Sequence, residues 1–107
     1  FCLDNVELIQ GKAPEYLPDR EWDRVFIGGS GGNIEKIIGY VTKHLKDNGV
    51  VVINTVTIDT LAKVVPLLKK VGFATEVIML QVSRIKEMGG YSMYSGENPI
   101  HIITAKK

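Results

Sequence analysis

Gly28-Gly29-Ser30-Gly31-Gly32 is the segment whose residue types most invite chemistry. Four glycines in five residues leave the backbone bare, so a ligand can come close to main-chain groups that side chains would otherwise screen. An anion could sit on the free N–H groups of a helix that starts after Gly32. The nucleotide version of that site is excluded by spacing, because Lys36 follows the last glycine too late and no Gly-Lys-Ser/Thr occurs. Gly28, Ser30 and Gly32 also satisfy the Gly-x-Ser-x-Gly pattern of a hydrolase nucleophile elbow, which needs an acid and a histidine later in the chain. Only His44 and His101 are available. His44 follows Val41 by three and adjoins Leu45, where a partly exposed structural histidine is expected, and His101 falls in a terminal apolar run rather than a loop. Against all of these stands the plain alternative that the glycines only make a tight turn.

The elements that would position this loop can be read from apolar spacing. Arg24 to Ile27 reads as a strand ending abruptly at Gly28. Ile34, Ile37, Ile38, Val41 and Leu45 recur at three- and four-residue steps, which predicts a helix with one apolar face, stopped by Asp47-Asn48-Gly49. Val50 to Ile53 is an uninterrupted β-branched run, the pattern of a strand covered on both faces, so helices are expected on both sides of the sheet. Thr57 can cap a second helix carrying Leu61, Val64, Val65 and Leu68 on one face and ending at Gly72. Pro66 inside it predicts a kink or a late start. Thr75 to Val82 and Pro99 to Ala105 read as two more strands, joined across Ser83 to Asn98 by a long hairpin that includes Gly89-Gly90. Upstream, Val6 to Ile9 reads as a short strand and Lys12 to Arg20 as a polar connection. The order is α/β, with parallel pairing early and an antiparallel pair of strands at the C-terminal end.

Composition narrows the function classes. The 107 residues suit a single domain, and 45% hydrophobic with 23% charged residues is ordinary for a protein in water. Thirteen Lys and Arg against twelve Asp and Glu leave +1, far from the excess that binding to a phosphate backbone requires, so nucleic acid is not expected as a partner. The longest apolar run is too short for a bilayer and no signal peptide is recognisable, so no membrane partner is expected and a cytoplasmic location is. The single cysteine, Cys2, has no partner for a disulfide or a structural zinc, and no metal site is expected. The chain opens on Phe1-Cys2 without an initiator methionine, as though entering in mid-protein.

Five blocks taken together carry a family resemblance across nearly the whole chain. Val6-Glu7-Leu8-Ile9-Gln10-Gly11-Lys12-Ala13-Pro14 followed by Asp23-Arg24-Val25-Phe26-Ile27-Gly28-Gly29-Ser30-Gly31-Gly32-Asn33 resembles the middle of the decarboxylating precorrin methyltransferases, also called precorrin-8W decarboxylases. Val52-Ile53-Asn54-Thr55-Val56-Thr57, Gln81-Val82-Ser83-Arg84, Gly89-Gly90-Tyr91 and Asn98-Pro99 are similar in kind and order to that family's second half.

The resemblance implies a Rossmann-like fold of S-adenosylmethionine-dependent methyltransferases, truncated at its N-terminus. It implies methylation of a precorrin at carbon 15 with loss of carbon dioxide from an acetate at carbon 12, in cobalamin synthesis. By similarity, Gly11, Lys12 and Ala13 run along the donor's adenine, and Gly28, Gly29 and Ser30 lie beside its methyl group. Gly31, Asn54 and Thr57 would meet the tetrapyrrole or its carboxylates. Arg84 and Lys86 would clamp acetate and propionate groups, and Tyr91, with Met93 and Tyr94, would offer flat surface to the macrocycle or to a subunit interface. Solvated charge serves equally for Arg84 and Lys86, while Asn54 could simply end a strand and Thr57 simply cap a helix. The family forms tetramers, which implies a homo-oligomer. It also holds the donor with an N-terminal glycine loop and an acidic residue that this sequence lacks, so the 107 residues alone are expected to be inactive, with Val6 to Ile9 short of neighbours and apolar edges open to self-association. A noncatalytic oligomerisation or binding module is the alternative from another class.

Overall fold

The computed structural model describes residues 4–29 and 32–107. The elements run β1 (Trp22–Ile27), α1 (Ile34–His44), β2 (Leu45–Thr55), α2 (Ile58–Lys70), β3 (Ala74–Leu80), β4 (Ser83–Met88), β5 (Tyr91–Gly96) and β6 (Ile100–Lys106). Four strands form one sheet in the order β1-β2-β6-β3, and β4 and β5 form a separate two-stranded sheet. β1 and β2 are parallel, as their connection through α1 predicts, while β6 runs antiparallel to both β2 and β3.

One core fills the space between the sheet and the two helices. Ile34, Ile38 and Val41 of α1 and Val64 and Leu68 of α2 meet Ile27, Val51, Ile53, Ile103 and Ala105 of the sheet. Val51, Ile53 and Ile103 have no solvent exposure. Because strand side chains alternate, Val50, Val52 and Asn54 point the other way, and they are only half-buried. The expectation of helices on both faces is therefore corrected. α1 and α2 pack against each other on one face, and on the opposite face Phe26 remains 65% exposed.

Three local expectations also change. Val6 to Ile9 forms no strand: it pairs with no other segment among the described residues, and Leu8 stands 93% exposed. Apolar alternation without a ladder partner satisfies no backbone hydrogen bonds, so nothing fixes it as a strand. α1 ends at His44 rather than at Asp47, because Leu45 turns extended and buries its side chain while β2 begins at once. A register shift in the β1–β2 pairing between Trp22 and Arg24 accommodates the sharp return, with Asn48 at φ 64. α2 starts on time at Ile58 despite Pro66, since Thr57 accepts from the Thr60 N–H at 3.2 Å. The carbonyl that loses its partner belongs to Ala62, which like Pro66 lies on the exposed side of the helix, where water can satisfy it. Gly72 caps α2 as its sequence foretells, at φ 87, with the Phe73 N–H bonded to the Leu68 carbonyl.

The hairpin stands apart. Among the described residues β4 and β5 pair only with each other, turning at Gly89-Gly90, both at positive φ. The Cα radius of gyration is 17.3 Å, against roughly 13 Å for a compact domain of this length. Among the described residues no helix is long and apolar enough to cross a membrane.

Candidate functional site

Parallel pairing brings the carboxyl ends of β1 and β2 to one edge of the sheet, and open α/β sheets bind ligands at that edge. Since β6 is antiparallel to β2, its start lies there too: His101 is opposite Thr55. Leu80 of β3 pairs with Ile100, so the hairpin between them springs from the same edge as the glycine loop.

A cavity of about 630 Å³ opens beside the end of β1, within the usual range of small-molecule sites. Lys12, Ala13 and Leu17 form its near wall; Gly28, Gly29, Gly32, Asn33, Ile37 and Tyr40 form its far wall. Its floor runs along β1, whose outer edge has no strand partner among the described residues.

The glycines differ in what they are for. Gly29 sits at φ 61 with no atom within 4 Å of where a side chain would begin, so its need is conformational and the space beside it is open. At Gly28 a Cβ would come 3.1 Å from the Phe26 ring. At Gly11 it would collide with the Tyr16 ring, so that glycine serves the folding of the 11–20 loop itself.

The structure thus brings together Lys12, Ala13, Gly28 and Gly29 of the residues singled out from sequence. Gly11 starts the same loop without lining the cavity. Ser30 and Gly31 lie outside the described residues. Asn54 and Thr57 sit at the end of β2 and the start of α2, on the same sheet edge but not in the cavity lining. Arg84, Lys86 and Tyr91 share one face of the hairpin by strand alternation, with Lys86 opposite Met93 and Met88 opposite Tyr91. Tyr94 lies on the other face, opposite Ile85. Arg84 Nε donates to Glu97 Oε1 at 2.7 Å, so its charge is already partnered inside the chain.

Sequence reasoning missed a polar cluster behind the cavity. Trp22 Nε1 donates to Tyr40 Oη at 2.8 Å, and Tyr40 Oη donates to the Pro18 carbonyl at 2.6 Å. His44 is buried rather than partly exposed. Its Nε2 lies 2.8 Å from Asp19 Oδ1, its Nδ1 lies 2.9 Å from the Tyr40 carbonyl, and its ring stacks on that of Tyr40. The Asp19 carboxyl is held below the usual carboxylate range by this hydrogen bond first, then by the charges of His44 and Lys43. Both nitrogens are thus engaged within the chain, at the C-terminal end of the eleven-residue helix. The spacing Asn33, Ile37, Tyr40, His44 was the available signal, since it defines one stripe of α1. Elsewhere, His101 Nδ1 is buried with no hydrogen-bond partner among the described residues.

Comparison with known proteins accords with this geometry. The Geobacter metallireducens precorrin-6y C5,15-methyltransferase superposes with a TM-score of 0.87 at 48% identity, over 97% of this chain and 56% of that one. The precorrin 8W decarboxylase of Methanobacterium thermoautotrophicum gives 0.85 at 28% identity, over 95% and 55%. Among curated relatives, the probable cobalt-precorrin-6B C(15)-methyltransferase (decarboxylating) of Sulfurisphaera tokodaii is 38% identical over 110 residues, covering all of this chain and 56% of its own length. The chain therefore spans a little over half the length of the relatives it matches. More distant methyltransferases, such as a SAM-dependent O-methyltransferase from Thermotoga maritima at TM-score 0.60 and 16% identity, share the fold, which is the Rossmann-like one. The family profile for the precorrin methyltransferase domain matches residues 1–107, and the chain belongs to that family.

Proposed function

We propose that this chain is the donor- and substrate-facing half of a decarboxylating precorrin C(15)-methyltransferase, acting in the cytosol with S-adenosylmethionine. The observation that carries the reading is the cavity along β1, whose lining joins Lys12 and Ala13 to Gly28 and Gly29, with open space beside Gly29. The donor fits that site by shape and chemistry: a bare glycine backbone at Gly29 admits a ligand close to the main chain, and Ala13, Leu17 and Ile37 supply apolar walls for a flat ring. When bound, the donor supplies an electrophilic methyl group. The chain's own residues bind and orient. Asn54 and Thr57 stand at the same edge for a substrate carboxylate, and on one hairpin face Lys86 offers charge and Tyr91 flat surface to a tetrapyrrole carrying many carboxylates, while Arg84 beside them would have to leave Glu97 to join. Decarboxylation needs positioning above all, since the macrocycle itself can take up the electron pair.

A second reading of the hairpin rests on its exposure. Ile85, Met88, Tyr91, Met93 and Tyr94 are all exposed, a density of apolar side chains that favours burial in a homo-oligomer. Of these, only Ile85 and Tyr94 lie on the face away from Arg84 and Lys86, so that is the face left for a partner copy when the other meets substrate.

The test is a calorimetric titration of S-adenosylhomocysteine into the 107 residues and, in parallel, into a polypeptide that carries them at the full length of the relatives. The reading expects stoichiometric binding by the longer polypeptide and weak or no binding by the 107 residues, whose cavity runs along a strand edge with no partner among the described residues. No binding by either would overturn the methyltransferase reading in favour of a noncatalytic module.

A further inference from the structure

The near wall of the cavity is not held by the sheet. Residues 11–20 belong to no helix or strand, and three of their tertiary anchors lie along one stripe of α1 and its N-cap. Asn33 Nδ2 donates to the Ala13 carbonyl at 3.3 Å, Tyr40 Oη to the Pro18 carbonyl, and His44 binds Asp19. Three consecutive residues each carry a tether: Pro18 through its carbonyl, Asp19 through its carboxylate, and Arg20 through an ion pair to Glu7 at 2.7 Å and a stack over Trp22. Ile37 and Tyr40 of the same stripe form part of the far wall. One helix face therefore both anchors the loop and forms part of the opposite wall.

We infer that Asp19 and His44 form a clamp that fixes the height of the 11–20 loop over the cavity, making both of them positioning residues for the donor although neither lines the site. The inference rests on the donor reading given above. Its chemistry is specific. Both ring nitrogens of His44 face acceptors, the Tyr40 carbonyl and the Asp19 carboxylate. The ring is stacked on Tyr40 with centroids 4.0 Å apart, so its direction is set before Asp19 arrives. Asp19 itself is 93% exposed at the side chain, and His44 is the hydrogen-bond partner of its carboxylate. The Nε2 contact has a carboxylate for its acceptor and is of the charge-assisted kind, discounted here for the exposure of Asp19.

Two measurements test the clamp and its consequence separately. The first is hydrogen exchange at the Tyr16 and Leu17 amides, which the loop protects by bonds to the Lys12 and Pro14 carbonyls. Asp19→Ala and His44→Ala should each speed exchange there while leaving the Val64 and Ile103 amides unchanged. Unchanged rates at Tyr16 and Leu17 overturn the clamp whatever the ligand. The second is donor titration and steady-state kinetics on the polypeptide carrying the chain at its relatives' length. Each single variant should weaken S-adenosylhomocysteine binding and raise the donor KM by about threefold to tenfold, with kcat at saturating donor retained. The double variant should be no worse than either single one, and Asp19→Asn, which keeps an acceptor oxygen, should recover part of the loss. Additive losses, or affinity that falls only in step with the folded fraction, overturn the positioning role. If the unmodified polypeptide binds no S-adenosylhomocysteine, the donor reading fails while the exchange result still decides the clamp.

Discussion

The four-stranded sheet with its two helices and the β4–β5 hairpin both carry large apolar side chains and behave as opposites. Ile, Val and Leu dominate the first and Ile85, two Met and two Tyr the second, yet Val51, Ile53, Val64, Leu68 and Ile103 are wholly enclosed while Tyr91 and Tyr94 are 75% and 81% exposed. The sheet earns its order by burial within the chain. The hairpin has only its cross-strand pairs, and a two-stranded ribbon alone is marginal in water. Apolar content therefore says how much surface wants covering, and topology says whether this chain or something else covers it.

The largest expected effect belongs to the enclosed side of that contrast. Leu68→Ala or Ile103→Ala should lower unfolding free energy by about 2–5 kcal/mol, read as a lower urea midpoint at unchanged slope. The paired change Ile85→Ser with Tyr94→Ser, across the hairpin, should move the same midpoint by less than about 0.5 kcal/mol and instead reduce the sedimenting mass at high concentration. A hairpin variant that unfolds like a core variant would break the comparison. The smallest effect sharpens it by adding the 11–20 loop as a third region. Asp19 titrates below the usual carboxylate range because His44 bonds and charges it, so its contribution is complete above the unfolded carboxylate pKa and is lost as pH falls through the lower folded value. Acidification below about pH 4 should change the fluorescence of Trp22, the chain's one tryptophan, before the far-ultraviolet dichroism of the core changes. Asp19→Asn should remove that early step.

Much of the enclosed region was legible in sequence. The 3.6-residue stripes of α1 and α2, the Thr57 and Gly72 caps and the strand before Gly28 all stand where local spacing puts them, because each depends on neighbours a few residues away. The far face of the sheet was not legible. Val50 to Ile53 reads the same whether one side is covered or two, and only the packing distinguishes Val51 from Val52. Val6 to Ile9 misled for the same reason, since a strand is a property of two segments. At the site, the glycine corner announced itself and the resemblance supplied its facing loop. The Trp22, Tyr40, Asp19 and His44 cluster did not, since a histidine on an amphipathic helix looks alike with or without a carboxylate from another segment beside it. What decides is the path of residues 12–20 across α1, and no periodicity encodes a path.

The Gly89-Gly90 turn gives the chain a natural place to be opened. Both glycines have positive φ and nothing within 4 Å of a would-be Cβ, so neither is wedged against the rest of the molecule. A cut there would release two pieces whose own pairing surfaces remain intact: residues up to β4 would keep β2 and β3, and the remainder would carry β6, the strand that fits between them. By this geometry the protein is already divided for reassembly from fragments, with β6 as the key and the slot between β2 and β3 as its lock.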